Sequence, residues 1–475
     1  MKPFQHTIPA PLLTTLSDVL RWQSSLVQLH ARLACYFARP EPYQRVLRFV
    51  QAILSNVERK NGWQLAEQAR EATPYGMQRL LSQAIWDEDG VRDEVRTFAL
   101  EHLGTSQAIV AIDETSFPKR GKHSAGVKKQ YCGTTGQVEN CQAVVFAAYV
   151  TARGHTLFDF RLYLPRQWCG DEPRRQRAHV PDEVEFTTKP ALGTAMITAA
   201  AGAGVPFAWA AADEVYGRSG KLREACEKYN KGYVLAVPVN FTVTLPSGRK
   251  ATVAALSRLI PVAAWETRSC GPGCKGHRDY AWAWAETASP RHWVLIRRSM
   301  GDPGDLAFFY THVPEGRPVT LPILVTVTGN RWPVEECHQQ GKGQAGLDQH
   351  QVRTWHSFHR HTVLSMCAQA LLAIAAARPA PPATQPPAAR GNQQPEAWRD
   401  TGKLPATADD QPPGDDPGLV KVSVPETRRL LRLAATPISR AARDAGYAWS
   451  RWRRRHQARA RWHHYHAQLK AARVT

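Results

Sequence analysis

The sequence predicts an α/β protein built on a mixed sheet flanked by helices, and two observations in the middle of the chain support this. The first is a pair of short apolar runs that each end in an acid, AIVAID at 108–113 and AWAAAD at 208–213. Runs of this length are typical of buried strands. The second is the order of strand-like and helix-like segments between residues 105 and 238.

That order can be read segment by segment. Two strands are predicted at 141–151 and 155–165, with a turn at Ala152-Arg153-Gly154 between them, and a helix is predicted at 189–204. A helix at 221–230 and a strand at 233–238 follow the second acidic run. The whole region therefore contains three strands, a helix, a strand, a helix and a strand, which favours a mixed sheet.

The regions on either side of residues 105–238 differ from them in composition and in the spacing of apolar residues. Residues 1–104 are predicted to be helical, because apolar residues recur there at three- and four-residue spacing. This helical domain either binds DNA or packs as a collar around the core. Residues 239–325 are rich in Trp and in short strand-like pieces, and we predict a β-rich insertion. The core resumes at 326–377 with two helices.

The last hundred residues change composition. Residues 378–417 are rich in Pro and poor in apolar side chains, so we predict a disordered linker. Residues 418–475 are predicted to be a basic helical tail, which includes WSRWRRRHQARARW at 449–462. Arg and aromatic side chains together suit contact with phosphates. For the reading of a base sequence, a nonspecific basic tail is the simpler interpretation.

The overall charge indicates a polyanionic partner. Lys and Arg number 61 against 41 Asp and Glu, a formal net charge of +20, and cationic side chains replace the counterions condensed on nucleic acid. Nine scattered cysteines in so long a chain favour reduced thiols over a disulfide scaffold. We find no apolar signal core and no run of about 18 apolar residues, so we expect a cytoplasmic, nucleoid-associated protein.

Asp113 and Asp213 are the first candidate site residues, since each ends an apolar run where a buried strand reaches the surface. Two-metal phosphoryl transfer needs carboxylates around a pair of divalent ions, which activate the attacking oxygen and stabilise the leaving oxygen. Mg²⁺ prefers such hard oxygen ligands. A single Asp at this place is more often a helix cap or turn residue, so the ordered pair carries the prediction.

Glu335 is the third candidate. It follows Arg331 by four residues and precedes Lys342 by seven, so all three side chains share one face of a helix that begins near Pro333. A carboxylate between two cations can serve as a metal ligand with phosphate clamps on either side. The simpler interpretation is a surface ion-pair ladder that contributes only tenths of a kcal/mol.

A basic loop follows the first acid. Gly residues separate its cations in PKRGKHSAGVKKQY (118–131), and the cations are Lys119, Arg120, Lys122, Lys128 and Lys129. A loop of this kind next to metal ligands can hold phosphates through side chains and main-chain amides. An ordinary solvated hairpin is the alternative, and we favour DNA contact.

Other chemistries receive less support. Cys270, Cys274 and His277 show no obvious fourth ligand for zinc. No strand-turn-helix nucleophile elbow is present. The segment RTWHSFHRH at 353–361 resembles only part of the residue set of a tyrosine recombinase.

The spacing Arg-x3-Glu-x6-Lys at 331–342 resembles the catalytic helix of bacterial insertion-sequence DDE transposases, the insertion sequence 701-like group with a Tyr-Arg-Glu-Lys signature. The segments around 111–142 and 211–217 and the third block, RWPVEE with GLDQHQVRTW and HRHTVLSM, resemble the same group. The resemblance extends from about residue 45 to 375 and again over the tail. Thr328 stands where that signature has Tyr, which is the one departure.

This resemblance implies an RNase H-like catalytic core with Asp113, Asp213 and Glu335 as the catalytic and metal-binding triad. It also implies two Mg²⁺ or Mn²⁺ ions and contact of Arg331 and Lys342 with the DNA backbone. The partners would be double-stranded DNA, as terminal inverted repeats and target, and a second copy of the chain. The implied activity is cut-and-paste transposition. The alternatives are an inactive or domesticated DNA-binding relative, and a metal-dependent nuclease that never joins strands.

Overall fold

The computed structural model describes residues 16–273, 276–377, 422–435 and 440–472. The whole of the linker predicted at 378–417, like Cys274, therefore lies outside the described residues. The helices are α1 Leu16–Arg32, α2 Pro40–Leu54, α3 Gly62–Gln68, α4 Tyr75–Ser82, α5 Glu88–Leu103, α6 Arg166–Cys169, α7 Glu172–Ala178, α8 Lys189–Gly202, α9 Glu214–Gly217, α10 Gly220–Lys228, α11 Val253–Ser257, α12 Leu321–Gly329, α13 Pro333–Ala345, α14 Trp355–Ala375, α15 Val424–Ala435 and α16 Arg440–Ala472.

The strands are β1 Ile109–Pro118, β2 Lys128–Cys132, β3 Gln137–Val150, β4 His155–Leu162, β5 Trp209–Ala212, β6 Gly232–Val237, β7 Thr242–Thr244, β8 Lys250–Thr252, β9 Glu266–Gly273, β10 Gly276–Glu286, β11 His292–Ser299 and β12 Leu306–His312. Ten of them form one sheet in the order β2-β3-β1-β5-β6-β12-β11-β10-β9, with β4 also paired to β3. The prediction of a mixed α/β sheet is confirmed.

The sheet is mixed because its middle strands run parallel. β1, β5 and β6 are parallel neighbours, and β3 lies antiparallel to β1 on the other side. β4 pairs antiparallel with β3 through the tight turn predicted at 152–154. Parallel neighbours need a crossover connection, and α8 and α10 provide the helices of the two crossovers.

Side chains alternate between two cores along β1. Ile109, Ala111 and Phe117 join the larger core, which includes apolar residues of α13 and α14. Val110 and Ile112 join a smaller core with residues of α8 and α10. Complete burial of one aliphatic side chain stabilises the fold by about 1.5–3 kcal/mol. Both faces of the sheet centre are thus covered, which explains why β5 and the part of β1 before Asp113 are apolar without interruption.

Helix α14 is the centre of the larger core. Nearly every residue from Phe358 to Ala373 is buried, as expected of a helix enclosed on all sides. It contacts α2, α4 and α5 of the N-terminal helical region as well as β4. Asp87 caps α5 by accepting from the backbone N–H groups of Asp89 and Gly90, and Gly104 follows its last residue. The N-terminal helices therefore pack directly on the sheet domain.

Residues 239–325 contain six strands, in keeping with their strand-rich sequence. Four of these strands, β9–β12, continue the main sheet because β12 pairs antiparallel with β6. The insertion thus extends the core sheet, and β7 and β8 form a separate hairpin. Of the four Trp residues in this region, Trp282 is fully buried and Trp284 and Trp293 pack against the larger core.

The C-terminal helices return to the body of the protein. α15 contacts α1, α13 and α14, and α16 contacts α15 and β10. Arg428 of α15 donates to the carbonyl oxygens of Leu54 and Ser55 and to the side chain of Gln344. Within the described ranges, no helix is long and apolar enough to cross a membrane.

Gly217 fixes the approach of α9 to β6. A Cβ atom there would overlap the carbonyl oxygen of Ala236, whereas a Cβ at Gly220 would meet only flexible side-chain atoms 3.7 Å or more away. We predict that Gly217→Ala lowers the free energy of unfolding by roughly 1–3 kcal/mol through overpacking. Gly220→Ala should leave it unchanged or raise it slightly, because Ala favours the helix. Chemical denaturation measures both, and equal stabilities would contradict this account.

Candidate active site

Asp113 and Asp213 lie side by side on parallel neighbours, Asp213 directly after the last residue of β5 and Asp113 within β1. The expectation that Asp113 ends its strand is wrong, because β1 stays paired with β3 as far as Pro118. The register of β1 and β5 pairs Ile112 with Ala212, so the two acids are the next positions along their strands. The chain leaves the sheet after Asp213, whose Oδ1 accepts from the N–H of Val215 at 2.9 Å and caps α9. The capping role considered from the sequence is therefore present, and it still places the carboxylate next to Asp113.

Strand alternation decides which side of the sheet each acid faces. Asp113 and Thr115 fall on the face of Ala111 and Phe117, which is covered by α13 and α14. Glu114 faces the opposite side. There it accepts hydrogen bonds from Lys189 Nζ and from the hydroxyl of Tyr216, both at 2.7 Å. Of the two consecutive acids, only Asp113 thus faces the helix that carries Glu335.

Burial makes the charges of Asp113 and Asp213 costly. Burial raises the pKa of Asp113 to about 7; the guanidinium of Arg331 opposes this shift and the carboxylate of Asp213 adds to it. Burial also raises the pKa of Asp213, and the negative charge of Glu114 adds to that shift. Two crowded carboxylates of this kind would be relieved by a cation placed between them.

Arg331 links Glu335 to Asp113. Its Nη2 lies 2.5 Å from Oε1 of Glu335, and its Nη1 lies 3.6 Å from Oδ2 of Asp113. Arg331 precedes α13, which begins at Pro333, and Glu335 lies in its first turn. The structure therefore brings Asp113, Asp213, Arg331 and Glu335 to one place, as the sequence predicted for the three acids.

Lys342 shares that helix but has a different environment. Its ammonium donates to the hydroxyls of Thr115 and Thr134, both at 2.8 Å, and lies 3.5 Å from the carbonyl of Ser116. Burial lowers the pKa of Lys342, while Asp348 raises it. These contacts join α13 to β1 and to the turn after β2. These hydrogen bonds occupy the N–H groups of Lys342 that would be needed to bind a phosphate.

The cations of the basic loop at 118–131 also fall into two groups, one directed into the protein and one exposed. Lys119 is directed inward, donating to the carbonyl oxygen of His350 at 2.8 Å, and burial lowers its pKa to about 8. Arg120, Lys122 and Lys129 are exposed, and Lys128 is half-buried. In this conformation only the exposed cations of the loop can contact a polyanion.

Three features of the site were not foreseen from the sequence. Lys189 and Tyr216 hold Glu114 behind Asp113, and the adjacent acids in AIDE were the available signal. Thr328, which replaces the signature Tyr, donates its hydroxyl to the carbonyl of Leu324 within α12. The hydroxyl of Thr328 is thus satisfied within its own helix.

Asp348 is the third unforeseen feature. It follows α13, and its negative charge raises the pKa of Lys60, Lys119 and Lys342, which burial lowers. Lys60 is only 3% exposed, and its N–H donates to the side chain of Gln349 at 2.7 Å. The carboxylate of Asp348, which follows α13, therefore influences lysines from three separate segments, and its Oδ1 is buried without a hydrogen-bond partner among the described residues.

The donor set suits a hard divalent cation. Asp113, Asp213 and Glu335 offer carboxylate oxygens, the ligands that Mg²⁺ and Mn²⁺ prefer. One guanidinium stands against three carboxylates, which leaves a negative excess when all three are ionised. Within the described residues, no three His, Cys, Asp or Glu side chains are grouped tightly enough to enclose an ion. The ion pair of Glu335 with Arg331 accounts for this, because it holds the third carboxylate on the guanidinium.

Comparison with known proteins agrees with this arrangement. The profile of the DDE superfamily endonuclease family matches residues 32–255, which include Asp113 and Asp213 and end before Glu335. Over this range the chain is similar to the DDE superfamily endonucleases. It is also 27% identical over 194 residues to the "Probable transposase for insertion sequence element IS701" of Microchaete diplosiphon. That alignment covers 40% of this chain and 48% of the relative, so it spans about half the relative's length.

Among solved structures, the cryo-EM structure of the piggyBac transposase synaptic complex with hairpin DNA aligns over 77% of this chain and 73% of that chain. The TM-score is 0.36 and the sequence identity is 13%.

The raised pKa of Asp113 predicts a pH-dependent stability. Because the folded pKa of about 7 exceeds the unfolded value near 3.9, Asp113 favours the folded state fully below the unfolded pKa. That contribution is lost as the pH rises through 7. Asp113→Asn removes the charge and keeps an acceptor for the N–H of Glu114. In EDTA at pH 8 we expect it to be more stable than the wild type by roughly 1–3 kcal/mol.

Thermal unfolding at pH 8 and pH 5.5 measures this difference, which should shrink at the lower pH. Asp182→Asn is the matched control, because Asp182 is exposed, and it should show no pH-dependent difference. The prediction would be contradicted if the gain in stability of Asp113→Asn over the wild type were no larger at pH 8 than at pH 5.5.

The contacts of Lys342 predict a structural effect. Lys342→Met keeps the aliphatic stem and removes three donors, so we expect a loss of about 1–3 kcal/mol in the free energy of unfolding. Lys122→Met, at an exposed position, should change it by less than about 0.5 kcal/mol. Urea denaturation compares the two. Unchanged stability of Lys342→Met together with weakened DNA binding would instead assign the ammonium to a phosphate.

Proposed function

We propose that this protein is a DDE transposase that cleaves DNA strands at transposon ends and joins the freed 3′-OH to target DNA. The observation that carries the proposal is the meeting of Asp113, Asp213 and the Arg331–Glu335 pair at one end of two parallel strands. The relationship to the DDE superfamily endonucleases supports the same conclusion.

We further infer that the centre of the sheet is an RNase H-like core. The supporting observation is its strand order, β4-β3-β1-β5-β6, in which the first three strands in sequence are antiparallel and the last two run parallel to β1. Asp113 then lies on the central strand and Asp213 at the end of its parallel neighbour. The Glu335 helix packs across the same face.

Each residue of the proposed site has a distinct task. Asp113 and Asp213 would hold a divalent ion such as Mg²⁺ or Mn²⁺ through their carboxylate oxygens, and Glu335 would complete the set with a second ion. Bound ions of this kind activate the attacking oxygen and stabilise the leaving oxygen of an in-line displacement. Loss of a proton from Asp113, whose pKa is about 7, would accompany binding.

Arg331 would then exchange partners. In the described conformation its guanidinium balances Asp113 and Glu335. Cations bound to those carboxylates would make that balance unnecessary, and the planar guanidinium suits a bidentate contact with a phosphate. The exposed Arg120, Lys122 and Lys129, with the half-buried Lys128, would hold the DNA backbone nearby. Lys119 and Lys342 would position their segments from within, since their ammonium groups bond inside the protein.

The proposed partners are the terminal inverted repeats of the element, the target DNA and a second copy of the chain as a dimer. The net charge of +20 supports a nucleic-acid partner. An inactive relative that only binds DNA is the second candidate, which Thr328 favours because it does not provide the phenol of the Tyr-Arg-Glu-Lys signature.

Neutral replacement of Glu335 distinguishes these candidates. We predict that Glu335→Gln lowers Mg²⁺-dependent cleavage of a terminal-repeat duplex at least 1000-fold, in line with the loss of a group that acts on the transition state. Its affinity for the same duplex in EDTA should stay within about threefold. Asp113→Asn and Asp213→Asn should behave alike.

Glu336→Gln is the matched control. Glu336 is the adjacent acid on the same helix, and it pairs with His155 at 3.3 Å, away from Arg331. This variant should cut at the wild-type rate. Normal cleavage by Glu335→Gln would refute the assignment, and a wild-type protein that binds but never cuts would establish the inactive relative.

A further inference from the structure

The basic C-terminal helix α16 is anchored on one side. Glu426 of α15, whose side chain is 4% exposed, accepts two hydrogen bonds from Arg453 at 2.6 and 2.9 Å. Arg429 donates to it as well, at 3.0 Å. Burial would raise the pKa of Glu426, but the hydrogen bonds from Arg453, Ser450 and Arg429 outweigh it and hold the pKa below its ordinary value. This ion pair therefore stays charged at neutral pH and clamps the two helices together.

The buried face of α16 follows the helical repeat. Ser450, Arg454 and Ala458 recur every four residues and are at most 4% exposed. They lie on the side that packs toward α15 and β10. A helix buried at every fourth position leaves its remaining faces to solvent. The orientation of α16 is thus set by packing, and its outer surface is defined.

Three arginines form a row on that outer surface. Arg451, Arg455 and Arg459 are exposed and recur at four-residue spacing, so they lie one above another over about 12 Å of helix. We define these three side chains as the arginine ridge. Among the described residues, none of the three has an acidic or hydrogen-bonding partner. Trp452, 56% exposed, and His456 stack beside the ridge with ring centroids 5.4 Å apart.

The sequence around the arginine ridge contains no acidic residues. From Ala445 to Thr475 the chain has no Asp or Glu, and the one acid that α16 meets from α15, Glu426, is shared by Arg453 and Arg429 on the anchored side. An ordinary solvated helix face intersperses charges of both signs. A row of positive charges along one helix suits a polyanion whose negative charges are regularly spaced.

We propose that the arginine ridge is a docking surface for the sugar-phosphate backbone of double-stranded DNA, separate from the site at Asp113. It deepens the proposed function, on which it rests for the identity of the polyanion. Arg suits this contact because its planar fork meets phosphate oxygens in pairs. Contacts with the sugar-phosphate backbone position a duplex without reading its sequence.

The test measures binding of a 30-base-pair duplex of random sequence to the full chain in EDTA, by fluorescence anisotropy across a salt series. For the triple variant Arg451→Glu, Arg455→Glu and Arg459→Glu we expect a loss of affinity of roughly ten- to a hundredfold near 0.1 M salt. The slope of log affinity against log salt should fall in magnitude by about 3, one ion for each lost phosphate contact. Thermal unfolding should be unchanged, because the three side chains are exposed.

The matched control places the same charge change elsewhere. Arg249→Glu, Lys250→Glu and Arg258→Glu alter three exposed cations around the β7–β8 hairpin, and this variant should keep most of the affinity and the wild-type slope. An equal loss in both variants would show that net charge alone matters and would overturn the ridge. Wild-type binding by the ridge variant would overturn it too. Because no metal or cleavage is involved, failure of the proposed transposase activity would leave the binding result distinct.

Discussion

The crowding of carboxylates where β5 ends beside β1 is the constraint on which the rest of the site depends. Asp113 and Asp213 are adjacent because their strands are parallel and in register. Their burial makes ionisation costly and raises both pKa values. The fold accepts that cost only because other elements bring compensating groups to the same place. Arg331, ahead of α13, is the nearest of these groups.

The packing of α13 then determines which cations offset the charge of the buried carboxylates. Lys342 ties this helix to β1 through Thr115, and Arg331 at its start reaches both Asp113 and Glu335. Beyond its far end, the negative charge of Asp348 raises the pKa of lysines from three segments, including Lys60 of the N-terminal region. The N-terminal helices also pack against α14, which in turn contacts α13.

The cations of the chain serve two purposes that composition alone does not separate. Some are internal, such as Lys119 and Arg428, which donate to main-chain carbonyl oxygens and join distant segments. Others, such as the arginine ridge and Arg120, face outward without acidic partners. Only the outward group contributes to a surface for a polyanion. The net charge of +20 therefore does not by itself give the number of cations that face a nucleic-acid partner.

The sequence by itself determined the strands, helices and acids, because apolar runs and helical spacing are local. It predicted β5 and the Glu335 helix closely and placed Arg331 beside Glu335, but it ended β1 at Asp113, five residues too early, and it missed β2 within the basic loop. Tertiary structure decided that β9–β12 continue the main sheet, because strand pairing is not local. It also decided that Lys342 and Lys119 bond inward, that Lys189 holds Glu114 and that Glu426 anchors the tail. Each of these depends on residues far apart in sequence that only folding brings within hydrogen-bond distance.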